Sequence, residues 1–381
     1  MNILRRRPLI LVFWLLVCLG CLRADRVAFW DIGEGKADPA VLLEGYFHRA
    51  DPCWMGADGA ASVGLSQRKV LWLFGDTWVG RPGVCGDGRS RASLIHNSIA
   101  LQEKEGNRPG RITFYWRRTA SGPADAFPSL VGPGWLWPLS GLRVGQDLCL
   151  FFARCNAQED APGFRIEGSV LVRVSNPDAK PQDWRVRQDQ IPFFRHGPEG
   201  YTFFGSACVL WEGYVYVYGV KEDWGLGMEG RGLLVARAPV KALETAEFTE
   251  WRFFARSRWS DGLEDASILF RGSATEMSVF RLPSLNRFVA VYTWCGVSRK
   301  ILARTAPRPE GPWARPRLLY QCPEGSWSDR IVCYAGKAHP ELAAGRNELV
   351  ISYVASSTSP DDLFKDLRLY WPRFVRVRFR D

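Results

Sequence analysis

The chain has 381 residues, ten more basic than acidic side chains, and 46% hydrophobic residues that include 17 Trp, 11 Tyr and 22 Phe. That length and apolar share support a sizeable core, in one large domain or two ordinary ones. No Lys/Arg run beyond the N-terminus marks a nucleic-acid stripe, so the charge excess is read as solubility with a mild preference for acidic polymers.

Residues 1–24 read as a signal peptide. Arg5-Arg6-Arg7 precede an apolar run from Pro8 to Leu22, and Arg23-Ala24-Asp25 close it. The run is too short and too abruptly stopped for a membrane span. Cys18-Leu19-Gly20-Cys21 resembles a bacterial lipobox with Cys18 where leucine is usual, which makes Cys21 a candidate lipidation site. Removing residues 1–24 takes away four basic residues and no acid, lowering the excess from ten to six. The expectation is an exported monomer, periplasmic, extracellular or an outer-membrane lipoprotein, that meets the membrane only through a lipid anchor. Eight cysteines follow Cys21, an even number that suggests disulfides in an exported chain. Cys322 and Cys333, bracketing a short loop, are the expected pair. The cysteine spacings lack the paired CxxC of a structural zinc site.

Beyond residue 24, helical periodicity is scarce, and Gly and Pro interrupt the chain every few residues, which favours an all-β fold. One apolar run recurs five times: "VLWLFGDT" at 70, "LCLFFARC" at 148, "YVYVYGVK" at 214, "FVAVYTWC" at 288 and "LVISYVAS" at 349. Each follows a short polar turn, with Gly, Asn or Asp in the last four, and the starts are 78, 66, 74 and 61 residues apart. After each of the first four comes a second apolar strand, a polar turn and an aromatic strand, as in "SIALQEKEGNRPGRITFYW". Four antiparallel strands repeated five times predict a five-bladed β-propeller spanning residues 25–381 as a single domain. The last unit ends in "RLYWPRFVRVRFRD", and the opening "RVAFWDIG" is expected to close the ring beside it. A β-sandwich with coincidental spacing is the competing reading.

In a propeller, the first strand of each blade lines the channel and the second runs antiparallel to it, about 5 Å away. The start of one and the end of the other therefore share a mouth. Asp76 ends the second strand of the first blade, and Asp58 precedes the first. Comparable offsets in the other blades select Trp135, Trp137, Ser206, Glu276 and His339. Glycoside hydrolysis needs two carboxyl groups, one protonated and one ionised. Crowding acids at one mouth separates their pKa values. Asp58 and Asp76 are the leading pair, and Glu276 is the alternative proton donor. Trp78, Asn97, Trp135, Trp137, Ser206, Lys337 and His339 are assigned to substrate binding. Plain structural roles stay open at this stage: Asp76 fits a turn aspartate, Asp58 a bend, and His339 a core histidine. A bridging water or calcium in the channel is the functional alternative for His339, although the chemistry requires no cofactor.

The stretch "GADGAASVGL…VLWLFGDT…HNSIAL", residues 56–101, resembles the opening blade of bacterial five-bladed propeller families related to glycoside hydrolases. These include a group with endo-D-arabinanase activity, near the arabinanase and xylosidase superfamily. "WLWPLSG", "FFGSACVLWEGYVYVYG", "EMSVFRL", "PEGPW" and "YAGKAHPEL" extend the likeness over nearly all of residues 26–379. Gly56-Ala57-Asp58 replaces the family's Gly-Gly-Asp, and His96 stands where asparagine is common. The resemblance implies catalysis by acids at Asp58 and Asp76. Other motifs fall away. "GLGMEG" at 225–230 runs from strand to strand with no helix to face a pyrophosphate, and "GEGK" at 33–36 lacks the rest of a P-loop. Four histidines without HExxH, and no GxSxG elbow, argue against a metalloprotease or serine hydrolase. Two readings remain: an exported glycosidase acting on a furanose- or pyranose-containing polysaccharide, and a carbohydrate-binding propeller without turnover.

Overall fold

Each of the five repeated runs becomes a central strand that is apolar on both faces. The structure is a computed structural model that describes residues 36–81, 85–86, 88–106, 108–159 and 163–379. The signal segment 1–24, the candidate lipidation site Cys21 and the opening "RVAFWDIG" lie outside the described residues. The runs form the strands Lys69–Phe74, Asp147–Ala157, Tyr214–Asp223, Arg287–Thr293 and Glu348–Ser357. Glu348–Ser357 is buried along its whole length. Sheets packed face to face cover both sides of such strands, so alternation is lost and the sequence reads as continuous Val, Leu, Tyr and Phe.

Each central strand pairs antiparallel with a preceding inner strand: Ala61–Gly64, Trp135–Val144, Gly200–Trp211, Met277–Leu282 and Ile331–Ala338. Outer strands follow in every sheet. In the fifth, the outermost is Lys36–Pro39 from the N-terminal side, paired with Pro372–Arg378 so that Ala37 faces Val377. Residues 36–39 thus complete the last sheet. The inner strands are tied to one another. Ser62 Oγ meets His339 Nδ1 at 2.6 Å, linking the first and fifth sheets. Ser140 Oγ donates to Gly205 O at 2.7 Å, and the Ala338 N–H donates to Ser278 Oγ at 2.8 Å. Residues of all five inner strands line one channel cavity.

The helix Val41–Ala50 locks the junction between first and last sheets. Its fully buried Phe47 stacks on Phe374 of the fifth sheet, with ring centroids 5.0 Å apart, and meets Trp72 of the first edge-on at 5.1 Å. Trp54, Phe74 and Phe114 complete that cluster. Arg89 is buried at the same junction, donating to Met55 O, Leu363 O and Leu369 O at 2.8, 3.0 and 2.6 Å. Burial pushes its pKa down to about 10. Three carbonyl acceptors satisfy the guanidinium without a carboxylate, and they clamp the segment before Asp58 to the loop before Tyr370. No helix among the described residues is long and apolar enough to cross a membrane.

The disulfide expectation is corrected. Cys53 is bonded to Cys85, whereas Cys322 and Cys333 are free thiols, buried and side by side. Loop length alone favoured the wrong pair: Cys322 and Cys333 sit in the apolar core against Leu319 and Tyr353, while the strand pairing of Trp54 with Val79 brings Cys53 to Cys85. Peptide mapping without reductant should recover a Cys53–Cys85 fragment and alkylated Cys322 and Cys333. The bond closes a separation of 32 residues, so reductant should destabilise the fold by about 3–4 kcal/mol in the chain-entropy account.

Candidate functional site

Asp58 and Asp76 are joined through their backbones. The Asp58 N–H donates to Asp76 O, and the Gly75 N–H donates to Asp58 O, both at 3.0 Å. Asp58 follows the short strand Trp54–Ala57, and Asp76 precedes Thr77–Val79, so one small sheet presents both acids. Gly75 leaves room for the Asp58 carboxylate, which a Cβ there would strike. Across the channel, Glu276 immediately precedes the inner strand Met277–Leu282. Its carboxylate reaches the first sheet: at Gly59, whose φ is +54°, a Cβ would lie 2.8 Å from Glu276 Oε1. Asp58, Asp76 and Glu276 line one cavity of about 120 Å³, walled by Trp137, Phe164, Phe203 and Val297 among others. The three predicted acids are together.

Their surroundings differ. Asp76 Oδ1 accepts from Trp137 Nε1 at 2.7 Å and from His96 Nδ1 at 3.0 Å. A carboxylate oxygen facing two donors belongs to the pocket and not to its own turn. Burial works against a charge on His96, but the hydrogen bond and charge of Asp76, with Asp125, outweigh it and raise the imidazole pKa. The ring also stacks on Trp135, with centroids 4.4 Å apart and planes 16° off parallel. Asp58 Oδ2 accepts from the phenols of Tyr334 and Tyr370 at 3.3 and 3.2 Å. Burial raises its pKa well above the usual carboxylate range, with the charges of Asp76 and Glu276 adding to the rise and the two phenols opposing it. Burial also raises Glu276, against the cations Lys337 and Arg231. Burial thus disfavours the charged form of both carboxyls, the condition under which one can act as an acid.

Backbone conformation aims the two phenols. Tyr370 adopts φ +63° and Ala335, next to Tyr334, φ +55°, left-handed values that non-glycine residues rarely take. Strain of this kind persists where surrounding contacts impose it, and it concentrates at functional sites. His96, Tyr334 and Tyr370 were not predicted as site residues. His96 did stand out as a departure from the family pattern. Tyr334 could have been reached by register: Cys333, its neighbour, pairs with Ala355, the residue of the fifth run that matches Asp76 in the first.

Of the predicted binding residues, Trp137 lines the cavity and the others do not. Trp78 is core, edge-on to Phe364 at 5.3 Å. Asn97 is fully buried and structural, donating to Phe127 O and Leu136 O while accepting from the Phe127 N–H. Trp135 backs His96. Ser206 is fully buried at an irregularity between Phe204 and Ala207. Lys337 and His339 lie at the far end of Ile331–Ala338, because that strand runs away from the acidic mouth. Equating His339 with Asp58 counted from the wrong end of a bulged strand. Lys337 lines a second cavity of about 260 Å³ on the other side.

Calcium does not fit His339. Its ring nitrogens meet Ser62 Oγ at 2.6 Å and Ser352 Oγ at 2.7 Å, so neither lone pair is free for a metal. Burial and the Lys337 charge push its pKa down to about 3, which makes it a neutral core histidine in a cation-repelling place. No group of three or more metal-ligating side chains occurs among the described residues.

Several solved structures are similar to this chain. A candidate hydrolase from Bacteroides ovatus superposes with a TM-score of 0.70 at 17% identity, covering 90% of each chain, and shares the fold. A GH43_1 enzyme from Xanthomonas citri, crystallised with xylose, superposes more loosely, at 0.46 and 12% identity over 89% of this chain and 92% of its own. An endo-arabinase from Bacteroides thetaiotaomicron does so at 0.47 and 11% over 86% and 95%. No curated protein matches the chain. The family model described as a domain of unknown function, DUF5005, matches residues 42–379, and the chain belongs to that family.

Proposed function

We propose that the protein is an exported glycoside hydrolase, a single five-bladed propeller with one ring of sheets from residue 36 to 379, acting as a monomer on an oligosaccharide or polysaccharide. Arabinan-type furanosides lead the candidate substrates, on the strength of the motif resemblance. The observation that carries the reading is the Asp58–Glu276 pair: two carboxyls that line one cavity, each raised by burial. The protonated member gives its proton to the glycosidic oxygen as the C–O bond breaks. The ionised member takes a proton from the attacking water or attacks the anomeric carbon itself. Trp137 offers an apolar wall for a sugar ring. Asp76, engaged by His96 and Trp137, is a positioning residue that keeps Asp58 protonated by its charge. These steps use the chain's own groups and call for no cofactor. Export is supported by the Cys53–Cys85 bond, since disulfides persist in oxidising compartments. Lipidation at Cys21 would tether the protein to a membrane.

Turnover on a polysaccharide panel tests the pair. Asp58→Asn and Glu276→Gln should each lower it by about 100-fold or more, the scale of general acid–base catalysis, with the fold intact. The variant that has lost only the proton donor should keep turnover on a glycoside with an activated leaving group. Asp76→Asn should lower turnover less and move the limb due to Asp58 to lower pH, because a like charge has been removed. Sugar binding without turnover by wild type would leave a carbohydrate-binding propeller.

Stability offers a check without substrate. Asp58 titrates higher folded than unfolded, so between about 3.8 and its raised value the folded chain binds more protons. Stability contributed by that group therefore falls as pH rises through the window. Asp58→Asn removes the loss, and should melt higher than wild type at pH 7, with the difference shrinking toward pH 4. A lower melting temperature at pH 7 would mean the carboxyl is not the strained group described.

A further inference from the structure

The third sheet differs from the others at the acidic mouth. Its inner strand Gly200–Trp211 carries an extra strand, Arg195–Gly197, along its channel edge, with Arg195 opposite Thr202 and Gly197 opposite Gly200. Phe203 on the inner strand lines the acidic cavity, and Gly200 stands three residues further out, about 10 Å at the rise of a strand. The hairpin therefore rises above the mouth. Trp224 opens the connection that leaves the neighbouring strand Tyr214–Asp223 at the hairpin's tip. Its N–H donates to Glu199 O at 2.9 Å, and its ring lies edge-on to His196 and Tyr201, with centroids 5.9 and 6.4 Å away. Tyr201 in turn lies 5.6 Å from Phe203, so a row of rings leads from the cavity wall outward. The held indole is still 49% exposed, and Leu226 on the same connection is 52% exposed.

Six of the nine large hydrophobics exposed among the described residues sit on connections at this mouth: Leu130, Trp224, Leu226, Trp327, Phe364 and Leu367. Apolar residues scattered over a surface need no explanation, but a bias toward the face that holds the acids does. Beside Trp224 lies a groove of about 650 Å³, whose lining includes His196, Glu199, Tyr201, Lys221, Asp223 and Glu264. We propose that Trp224 and this groove form an outer glycan subsite. The indole takes the apolar face of a sugar ring, and Glu199, Lys221 and Glu264 take its hydroxyls, on the same chain whose scissile bond lies in the acidic cavity. The inference rests on the hydrolase reading for the position of that bond, and on the groove alone for binding. A sugar ring has C–H groups on its faces and hydroxyls around its edge, which matches an aromatic ring beside a polar groove. Charges of both signs in the groove, with three carboxyls in the cavity, favour a neutral chain over a uronate-rich one. The hairpin's height exceeds the span of one sugar ring. Only an oligomer or polymer therefore reaches both places, and a monosaccharide glycoside reaches the cavity alone.

Trp224→Ala tests this, since a half-exposed indole can be removed without opening the core. Native gels cast with arabinan or xylan measure retention of the full chain. Turnover is followed on whichever of the two wild type cleaves, and on the nitrophenyl glycoside of the same sugar. Trp224→Ala should weaken retention and raise KM on the polysaccharide by about tenfold or more, with kcat unchanged. The nitrophenyl glycoside should keep wild-type kinetics. Trp224→Phe, which preserves an aromatic face, should stay close to wild type on both. Equal polysaccharide affinity in Trp224→Ala and wild type would overturn the proposal. So would an equal loss on the nitrophenyl glycoside, which would make the indole part of the cavity itself, and so would a wild type that retains neither polysaccharide. Retention by wild type without turnover, lost in Trp224→Ala, would support the subsite and count against the hydrolase reading instead.

Discussion

Three carboxylates in one apolar-walled cavity set the terms for everything around them. A carboxylate removed from water is unstable unless it is protonated or matched. Each acid here meets that cost differently. Asp76 is matched by two nitrogen donors, His96 and Trp137. For Glu276, the charges of Lys337 and Arg231 work against burial. Asp58 has only two phenols, and burial, with the charges of Asp76 and Glu276 adding to it, drives it toward its neutral form. On the hydrolase reading, an asymmetry of this kind separates an acid from a base.

The scaffold explains how the asymmetry is held. Asp58 and Asp76 are fixed to each other by backbone hydrogen bonds, and Arg89 ties the approach to Asp58 to the loop that carries Tyr370. Glu276 comes from a different sheet, and its distance from Asp58 is therefore set by ring closure. That closure depends on Phe47 stacking between first and last sheets and on Lys36–Pro39 completing the fifth. Residues far from the cavity thus help set where the two acids stand.

Much of this was legible from the sequence, for a reason that also marks the limit. Central strands covered on both faces are continuous apolar runs, so five of them at similar spacing stand out, and each acid at a strand end can be counted from its run. Counting worked for Asp58, Asp76 and Glu276, which flank regular strands. It failed for Lys337 and His339, because a bulge between Tyr334 and Lys337 and the direction of that strand place them at the far end. Asn97 and Trp78 were misread because polar or aromatic character near a mouth does not reveal which way a side chain points. The Cys53–Cys85 pairing depended on a strand contact that spacing does not encode, and short-loop logic chose two core thiols instead.

The most direct test of the central claim is a crystal structure of Glu276→Gln soaked with the oligosaccharide that the wild type cleaves or binds best. The account predicts a sugar ring against Trp137, with its glycosidic oxygen between Asp58 and the residue 276 amide. A sugar bound elsewhere on the molecule, with this cavity holding none, would contradict it.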